Sequence, residues 1–453
     1  MYFFKQLIPL FLISSIFSYV IFPLNNDDYN LTSTDSPKNL IEKLIDSKLY
    51  VLINIGSEKI NVKCYLVLSR TEFMIAGKDI QYHKYNELNS KSYNCTYCNS
   101  QRLYYGPYSE GIISIEDLNI LNEKNETQLI HNMKFILGTE ASNSIAPEGI
   151  IGLHIQYYDS YLEYNFFKNL KKENVTNSYY WYLNFDNIES KMIVGGFPHD
   201  LDNKKYIKEK FIETNTLKGG YYKIWGLEFT NIYYNNININ ISSSECNTAS
   251  IKFENGLIVA PEETRNILEE QFFKEYYDRN ICLKESLGTY KENFIYCKNT
   301  KEFDIKKFKT IYFKNIDLNC IFKLNYEDLF FYKGDNIYFL IIFKGTEWIF
   351  GKLFLKKYYL VFNNDKETIG YYEGMEKEKS TEYNDKSENN FKINLIHILL
   401  ILILISIIVV GIIIYTKKGK RKNRANELDD DNYEYNAAIN DSDNDKNKII
   451  ESN

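Results

Sequence analysis

Residues 348–370 read WIFGKLFLKKYYLVFNNDKETIG. Apolar and aromatic runs only a few residues long are broken by Gly, Asn and Asp, the texture of short β-strands joined by tight turns. Working outward, the same texture reaches back to residue 47, in KLYVLINIG (48–56), KCYLVLSRTEFMI (63–75), YYWYLNF (179–185), SKMIVGG (190–196) and KYYLVF (357–362). Helical periodicity is limited. Its clearest instance is EETRNILEEQFFKEYYD at 262–278, with Pro261 as a start signal, and a shorter one lies at 158–171. No tandem repeat with a period of 20–50 residues is present. The expectation is a mainly β protein with two strand-rich lobes, 47–205 and 206–373.

Composition narrows the function classes. The chain has 453 residues, with 54 Lys and Arg against 60 Asp and Glu, so its net charge of −6 gives no basic stripe for nucleic acid. Apolar residues at 44% supply a large core, and Pro at 7 residues excludes collagen-like and Pro-rich classes.

Two apolar segments frame this β-rich body. Residues 1–23, MYFFKQLIPLFLISSIFSYVIFP, carry a Lys before an apolar run and read as a secretory signal peptide. Residues 24–46 form an N-terminal extension, short for an activation prosegment. Residues 393–415, INLIHILLILILISIIVVGIIIY, are long and apolar enough to span a bilayer as a helix. His397 and Asn394 sit at the outer end of that span, at the interface. Lys417, Lys418, Lys420, Arg421, Lys422 and Arg424 follow it, and a mixed, net acidic linker, 374–392, precedes it. The positive-inside rule then places 24–392 in the lumen or outside and the tail, 416–453, in the cytosol. The expected protein is a single-pass type I membrane protein of the secretory pathway: endoplasmic reticulum, endosomal system or plasma membrane. The tail is acidic and polar and reads as disordered. Asp445 before Ile449-Ile450 resembles an acidic dileucine signal for a sorting adaptor.

The luminal part carries sequons at Asn30, Asn94, Asn125, Asn174 and Asn240, the expected glycosylation sites. Its seven cysteines favour disulfides in an oxidising compartment. Cys95-x-x-Cys98 reads as a loop staple, since no second CxxC or His pair completes a metal site. Cys282, Cys297 and Cys320 are expected to hold one bridge among them, and Cys64, inside an apolar strand, to be a free thiol. His83, His131, His154 and His199 are scattered singly and read as surface or satisfied core residues. No metal or cofactor is expected.

The landmarks, taken together, resemble the pepsin-like aspartic proteases. Glu148-Gly149-Ile150-Ile151-Gly152-Leu153 resembles that family's Asp-Gly-Ile-Leu-Gly-Leu block. Met192-Ile193-Val194-Gly195-Gly196 resembles its Leu-(Leu/Phe)-Gly-Gly hairpin. Gly220-Tyr221-Tyr222-Lys223-Ile224 is similar to the opening of its second lobe, and Trp348-Ile349-Phe350-Gly351 to Trp-Ile-Leu-Gly. Residues 354–362 with Ile369-Gly370 are similar to its last strand pair. The five blocks stand in family order. A C-terminal anchor, and Cys95-x-x-Cys98 ahead of Tyr108-Ser109-Glu110-Gly111, resemble the membrane-anchored branch that includes plasmepsins and β-secretases. The resemblance implies a bilobal acid-protease fold with a C-terminal transmembrane helix. It also implies a flap at Tyr108 and Gly111, in the family's Tyr-x-x-Gly pattern, with Tyr105-Gly106 as another register.

The family's chemistry needs two Asp carboxylates, one from an Asp-Thr/Ser-Gly turn in each lobe, close enough to share a proton. No Asp-Thr-Gly or Asp-Ser-Gly occurs in this chain. The resemblance places Ser69 at the first Asp position and Lys252 at the second. A two-residue deletion instead makes Glu254-Asn255-Gly256 the second turn, with Glu254 as a lone carboxylate. The reading is of a catalytically inactive, aspartic-protease-like protein that binds a peptide or protein in the cleft between its lobes, since strand-edge hydrogen bonds require no catalytic Asp. The alternatives are an active atypical membrane-anchored aspartic endopeptidase working in the secretory pathway, a Ser69–Lys252 hydrolase, and a surface or sorting receptor.

Overall fold

The computed structural model describes residues 19–374, apart from 28–34, 81–82, 104–106, 122–126, 143–145, 156–162, 186–188, 220–221, 240–247, 288–291 and 316. The expected signal segment up to residue 18, most of the linker, the span 393–415, the tail with Asp445, Ile449 and Ile450, and the sequons at Asn30, Asn125 and Asn240 lie outside the described residues. No helix among the described residues is long and apolar enough to cross a membrane.

The architecture is mainly β and built on one pairing scheme used twice. In the first half, Ile60–Val67 runs parallel to Gly149–Gly152, with Cys64 opposite Gly149 and Val67 opposite Gly152. Phe73–Ala76 lies antiparallel to that same strand, Met74 opposite Ile150, and parallel to Thr127–Ala141. In the second half, Thr248–Ile251 runs parallel to Trp348–Phe350, with Ala249 opposite Trp348. Ile258–Ala260 lies antiparallel to it, Val259 opposite Ile349, and parallel to Ile341–Phe343. In each half a later strand is therefore inserted between two consecutive ones. These strands belong to an eight-stranded sheet in the first half and a nine-stranded sheet in the second.

A six-stranded sheet joins the halves, in the order Val20–Pro23, Ser190–Val194, Tyr180–Phe185, Val361–Asn363, Thr368–Tyr372, Phe211–Asn215. Strands from both lobes hydrogen-bond directly in it, Trp181 opposite Phe362. Their rings stack at 4.0 Å, and Trp225 closes edge-on against both. Burying this aromatic knot makes the joint between the lobes apolar.

The helix expected at 262–278 is present over that range, as Glu262–Leu268, a π turn at Glu269–Phe273 and Lys274–Asp278. Its apolar stripe, Leu268, Phe272, Phe273 and Tyr276, is buried. The shorter helix is Phe166–Lys172. One stretch differs from expectation. Residues 354–357, expected in a strand, belong to the helix Lys352–Lys357, and the strand starts at Val361. Helical spacing lets Phe354 and Tyr358 bury on one side, where the Phe354 ring stacks on Phe350 at 3.9 Å.

Two disulfides close, Cys95–Cys98 and Cys282–Cys297, as the cysteine reading expected. The second joins residues directly opposite in an antiparallel pair. Cys64 is a free, buried thiol. Of the expected glycosylation sites, Asn94 and Asn174 are exposed, and Asn174 caps its helix with a left-handed φ of 55°.

Candidate functional site

The doubled pairing scheme brings two loops into equivalent places, 68–72 after the first parallel strand and 252–257 after the second. Each is closed by a glycine, Gly152 ending the first inserted strand and Gly351 directly after the second. A Cβ on Gly152 would lie 2.5 Å from the Thr71 carbonyl carbon, and one on Gly351 2.0 Å from the Leu257 oxygen. Only glycine lets these backbones approach so closely.

The register relates the two turns residue by residue. Gly149 and Trp348 hold equivalent places, as do Ile150 and Ile349, so Cys64 corresponds to Ala249 and Met74 to Val259. The turns between them are then equal in length, with no deletion. Val67 corresponds to Lys252, Leu68 to Phe253, Ser69 to Glu254 and Arg70 to Asn255. Of the two expected pairings, the register makes Ser69 equivalent to Glu254, as in the alternative that takes Glu254-Asn255-Gly256 as the second turn, and makes Lys252 equivalent to Val67. No pair in the series is a pair of acids.

In the first turn, Ser69 is exposed, and Glu72 folds back onto its own loop. The Thr71 amide donates to Glu72 Oε2 at 3.2 Å, and Arg70 pairs with the same oxygen at 3.9 Å. Asn165 Nδ2 donates to the Thr71 carbonyl at 2.9 Å, tying the loop to the helix that follows. His154, whose amide donates to the Arg70 carbonyl, is held below the usual imidazole range by burial.

In the second turn, Lys252 is exposed and its amide donates to the Phe350 carbonyl at 3.0 Å. Phe253 is fully buried against Trp181. With Phe253 turned inward, Glu254 reaches across to the first lobe. The Leu68 amide donates to Glu254 Oε1 at 2.5 Å and the Ser69 amide to the same oxygen at 3.2 Å. Glu254 Oε2 is buried without a hydrogen-bond partner. Burial pushes the Glu254 carboxyl above its ordinary value, against the pull of its own amide, those of Leu68 and Ser69, and the Lys252 charge. Glu254 is thus a latch between the lobes.

The hairpin Asn94–Arg102 with Tyr108–Leu121 occupies the place expected of the flap. Tyr108 is not at its tip. It opens the second strand, its ring buried on Gly138 and its hydroxyl donating to the Pro147 carbonyl at 2.5 Å. Gly111 is in the body of the strand, facing Ile136 and Leu103. The first strand ends at Arg102 and the second begins at Tyr108, and Tyr105-Gly106, the other register, lies outside the described residues.

Sequence reasoning missed Val67, Leu68 and Phe253. The equal spacing of Cys64 to Met74 and of Ala249 to Val259, which strand pairing brings out, is the signal that finds them. It also missed helix α1 (Pro37–Ile45), which reaches the second turn: the Gly256 amide donates to the Ile45 carbonyl at 3.1 Å. Among the described residues, no group of three or more His, Cys, Asp or Glu side chains is placed to hold a metal ion. A polar cavity of about 300 Å³ lies beside the first turn, lined by His154 and Asn165, which hydrogen-bond that turn, and by Lys168 and Asp365.

This doubled β scheme, with a loop from each half meeting at the joint, is that of a bilobal acid-protease scaffold. The model of the family described as eukaryotic aspartyl protease matches residues 48–373, and the chain belongs to that family. A search of curated proteins finds no match.

Proposed function

We propose that this family member is catalytically inactive and works by binding a peptide or protein between its lobes, as a type I membrane protein of the secretory pathway. The observation that carries the reading is the content of the two equivalent turns. The pairs Val67/Lys252, Leu68/Phe253, Ser69/Glu254 and Arg70/Asn255 hold one carboxylate, Glu254, which accepts two backbone amides, while the other acid of these turns, Glu72, has Leu257 at its equivalent place and folds back onto its own loop. Proton sharing needs two carboxyls in contact, one to activate water and one to donate to the peptide carbonyl. A single carboxyl occupied as a lobe latch supplies neither half. What the scaffold retains is strand edges beside an inter-lobe joint, which recognise extended peptides through backbone hydrogen bonds. The apolar leader, the apolar stretch 393–415 with its basic flank, and the sequons support the membrane and luminal placement, although Val20–Pro23, the end of the expected 1–23 signal segment, pairs with Ser190–Val194 in the joining sheet. Asp445 with Ile449-Ile450 supports a sorting adaptor as cytosolic partner.

The test pairs two measurements on the purified full chain. A peptide library incubated between pH 3 and 7 is expected to remain uncleaved. Immobilised peptides from the same library are expected to retain the chain saturably. Cleavage that Glu254→Gln abolishes would restore an active, atypical endopeptidase. No retention of any peptide would remove the binding role.

A further inference from the structure

The polar cavity beside the first turn lies where the first lobe meets the joining sheet. His154, Asn165, Lys168 and Tyr179 line it from the first lobe. Asn364 and its neighbours line it from the hairpin that joins Val361–Asn363 to Thr368–Tyr372. At about 300 Å³ it stands at the small end of ligand pockets.

Its charges do not balance locally. Each lining carboxylate already has a lysine: Asp365 Oδ1 pairs with Lys171 at 2.9 Å, and Glu367 with Lys223. Asp365 Oδ2 also accepts the Tyr179 amide at 3.1 Å. Lys168 is half-buried and has no ion pair among the described residues. Glu163 is held below the usual carboxylate range by Lys134, at 2.7 Å, and only in lesser part by Lys172 and Lys168. Burial holds the His154 imidazole below its usual range, so it adds no charge at neutral pH. One positive charge is left over at the cavity wall.

Two neutral donors line the same cavity. The Trp181 indole donates to Asn364 Oδ1 at 3.0 Å, which leaves the Asn364 amide nitrogen for a ligand. The Tyr179 hydroxyl stays protonated, because burial and then the Asp365 charge push it up. An ammonium, an amide N–H and a phenol O–H together match a carboxylate, which only accepts when ionised. A sulfate or phosphate dianion carries one charge too many for a single lysine, and meets Asp365 and Glu367 as like charges.

We propose that this cavity is a binding site for a small polar monocarboxylate, held by Lys168, Asn364 and Tyr179. The C-terminus of a short peptide and a free hydroxy acid share that chemistry. The remaining lone pairs of Asp365 and Glu367 accept from N–H or O–H groups of the same ligand. Occupancy reaches the candidate site through the cavity wall. The His154 amide donates to the Arg70 carbonyl at 2.7 Å, and Asn165 Nδ2 to that of Thr71 at 2.9 Å. Both carbonyls belong to the first turn, whose Leu68 and Ser69 amides hold Glu254. A ligand gripping both the first lobe and the hairpin steadies that turn. This site does not depend on peptide binding between the lobes, and neither proposal needs the other.

The probes are N-acetylglycine, N-acetylglycinamide, gluconate and inorganic sulfate, each titrated by calorimetry into the purified full chain. At least one of the two acids is expected to bind saturably, at about millimolar affinity or tighter. The amide and sulfate are expected to bind about tenfold more weakly or worse. Lys168→Met should weaken acid binding about tenfold or more, and Lys168→Arg should keep it within about threefold. Asn364→Asp retains the acceptor for Trp181 but turns a carboxylate towards the ligand, and should abolish saturable binding. Circular dichroism checks that each variant is folded. Four results overturn the proposal: no saturable binding of either acid, equal binding of acid and amide, tighter binding of sulfate than of both acids, or acid binding that Lys168→Met leaves unchanged. Binding of N-acetylglycine alone upholds it and assigns the site to peptide C-termini. Binding of gluconate alone upholds it and assigns the site to free hydroxy acids.

Discussion

Replacing Glu254 separates its two effects on the fold. Glu254→Ala removes the acceptor for the Leu68 and Ser69 amides. Leu68 is 4% exposed, so its amide is left without water, at a cost of about 1–3 kcal/mol. Ser69 is exposed, and water replaces most of its bond. Losing a buried carboxylate oxygen that has no partner offsets part of the cost. The expected net loss at neutral pH is about 2 kcal/mol, a fall in Tm of roughly 4–8 °C for a domain of this size. Glu254→Gln keeps the acceptor and removes the ionisation. Because burial raises the folded-state value of this carboxyl above its ordinary 4.5, the fold favours the protonated form. Its contribution is full below the unfolded-state value and is lost as pH rises through the folded-state value. Wild-type stability should therefore fall above about pH 4.5 relative to Glu254→Gln, with the two converging in acid. Urea unfolding of both variants and the wild type from pH 4 to 7.5 measures this. Unchanged stability in Glu254→Ala, within about 0.5 kcal/mol, would refute the latch. A Glu254→Gln variant with the same pH slope as wild type would refute the protonation argument.

Two further outcomes follow from the packing. Gly351→Ala would place a methyl 2.0 Å from the Leu257 oxygen and 2.3 Å from that of Asn255. It should destabilise the fold by about 3 kcal/mol, read as a lower urea midpoint at unchanged slope. Cys64 is fully buried, and burial raises its thiol well above the ordinary value, with the Glu148 charge adding to the effect. It should resist alkylation by iodoacetamide in the native chain at pH 8 and react once the chain is unfolded in urea, as peptide mapping will show.

Short apolar runs, tight-turn residues and ordered landmark blocks sufficed to read a doubled β scaffold and to place the 262–278 helix, because strand alternation and helix start signals are local. The absence of any Asp-Thr-Gly or Asp-Ser-Gly was legible in the same way. Only the three-dimensional structure decided which residues correspond. Register is set by pairing between strands far apart in the chain, and a shift of two exchanges Ser69 for Val67 as the equivalent of Lys252 without changing the local pattern. Tyr108 read as a flap tip because a Tyr-x-x-Gly spacing carries no information about where its hairpin turns. The seat of helix α1 was least visible of all. Residues 37–45 show an ordinary amphipathic helix, and nothing local in the chain says that its apolar face is buried by side chains more than two hundred positions away.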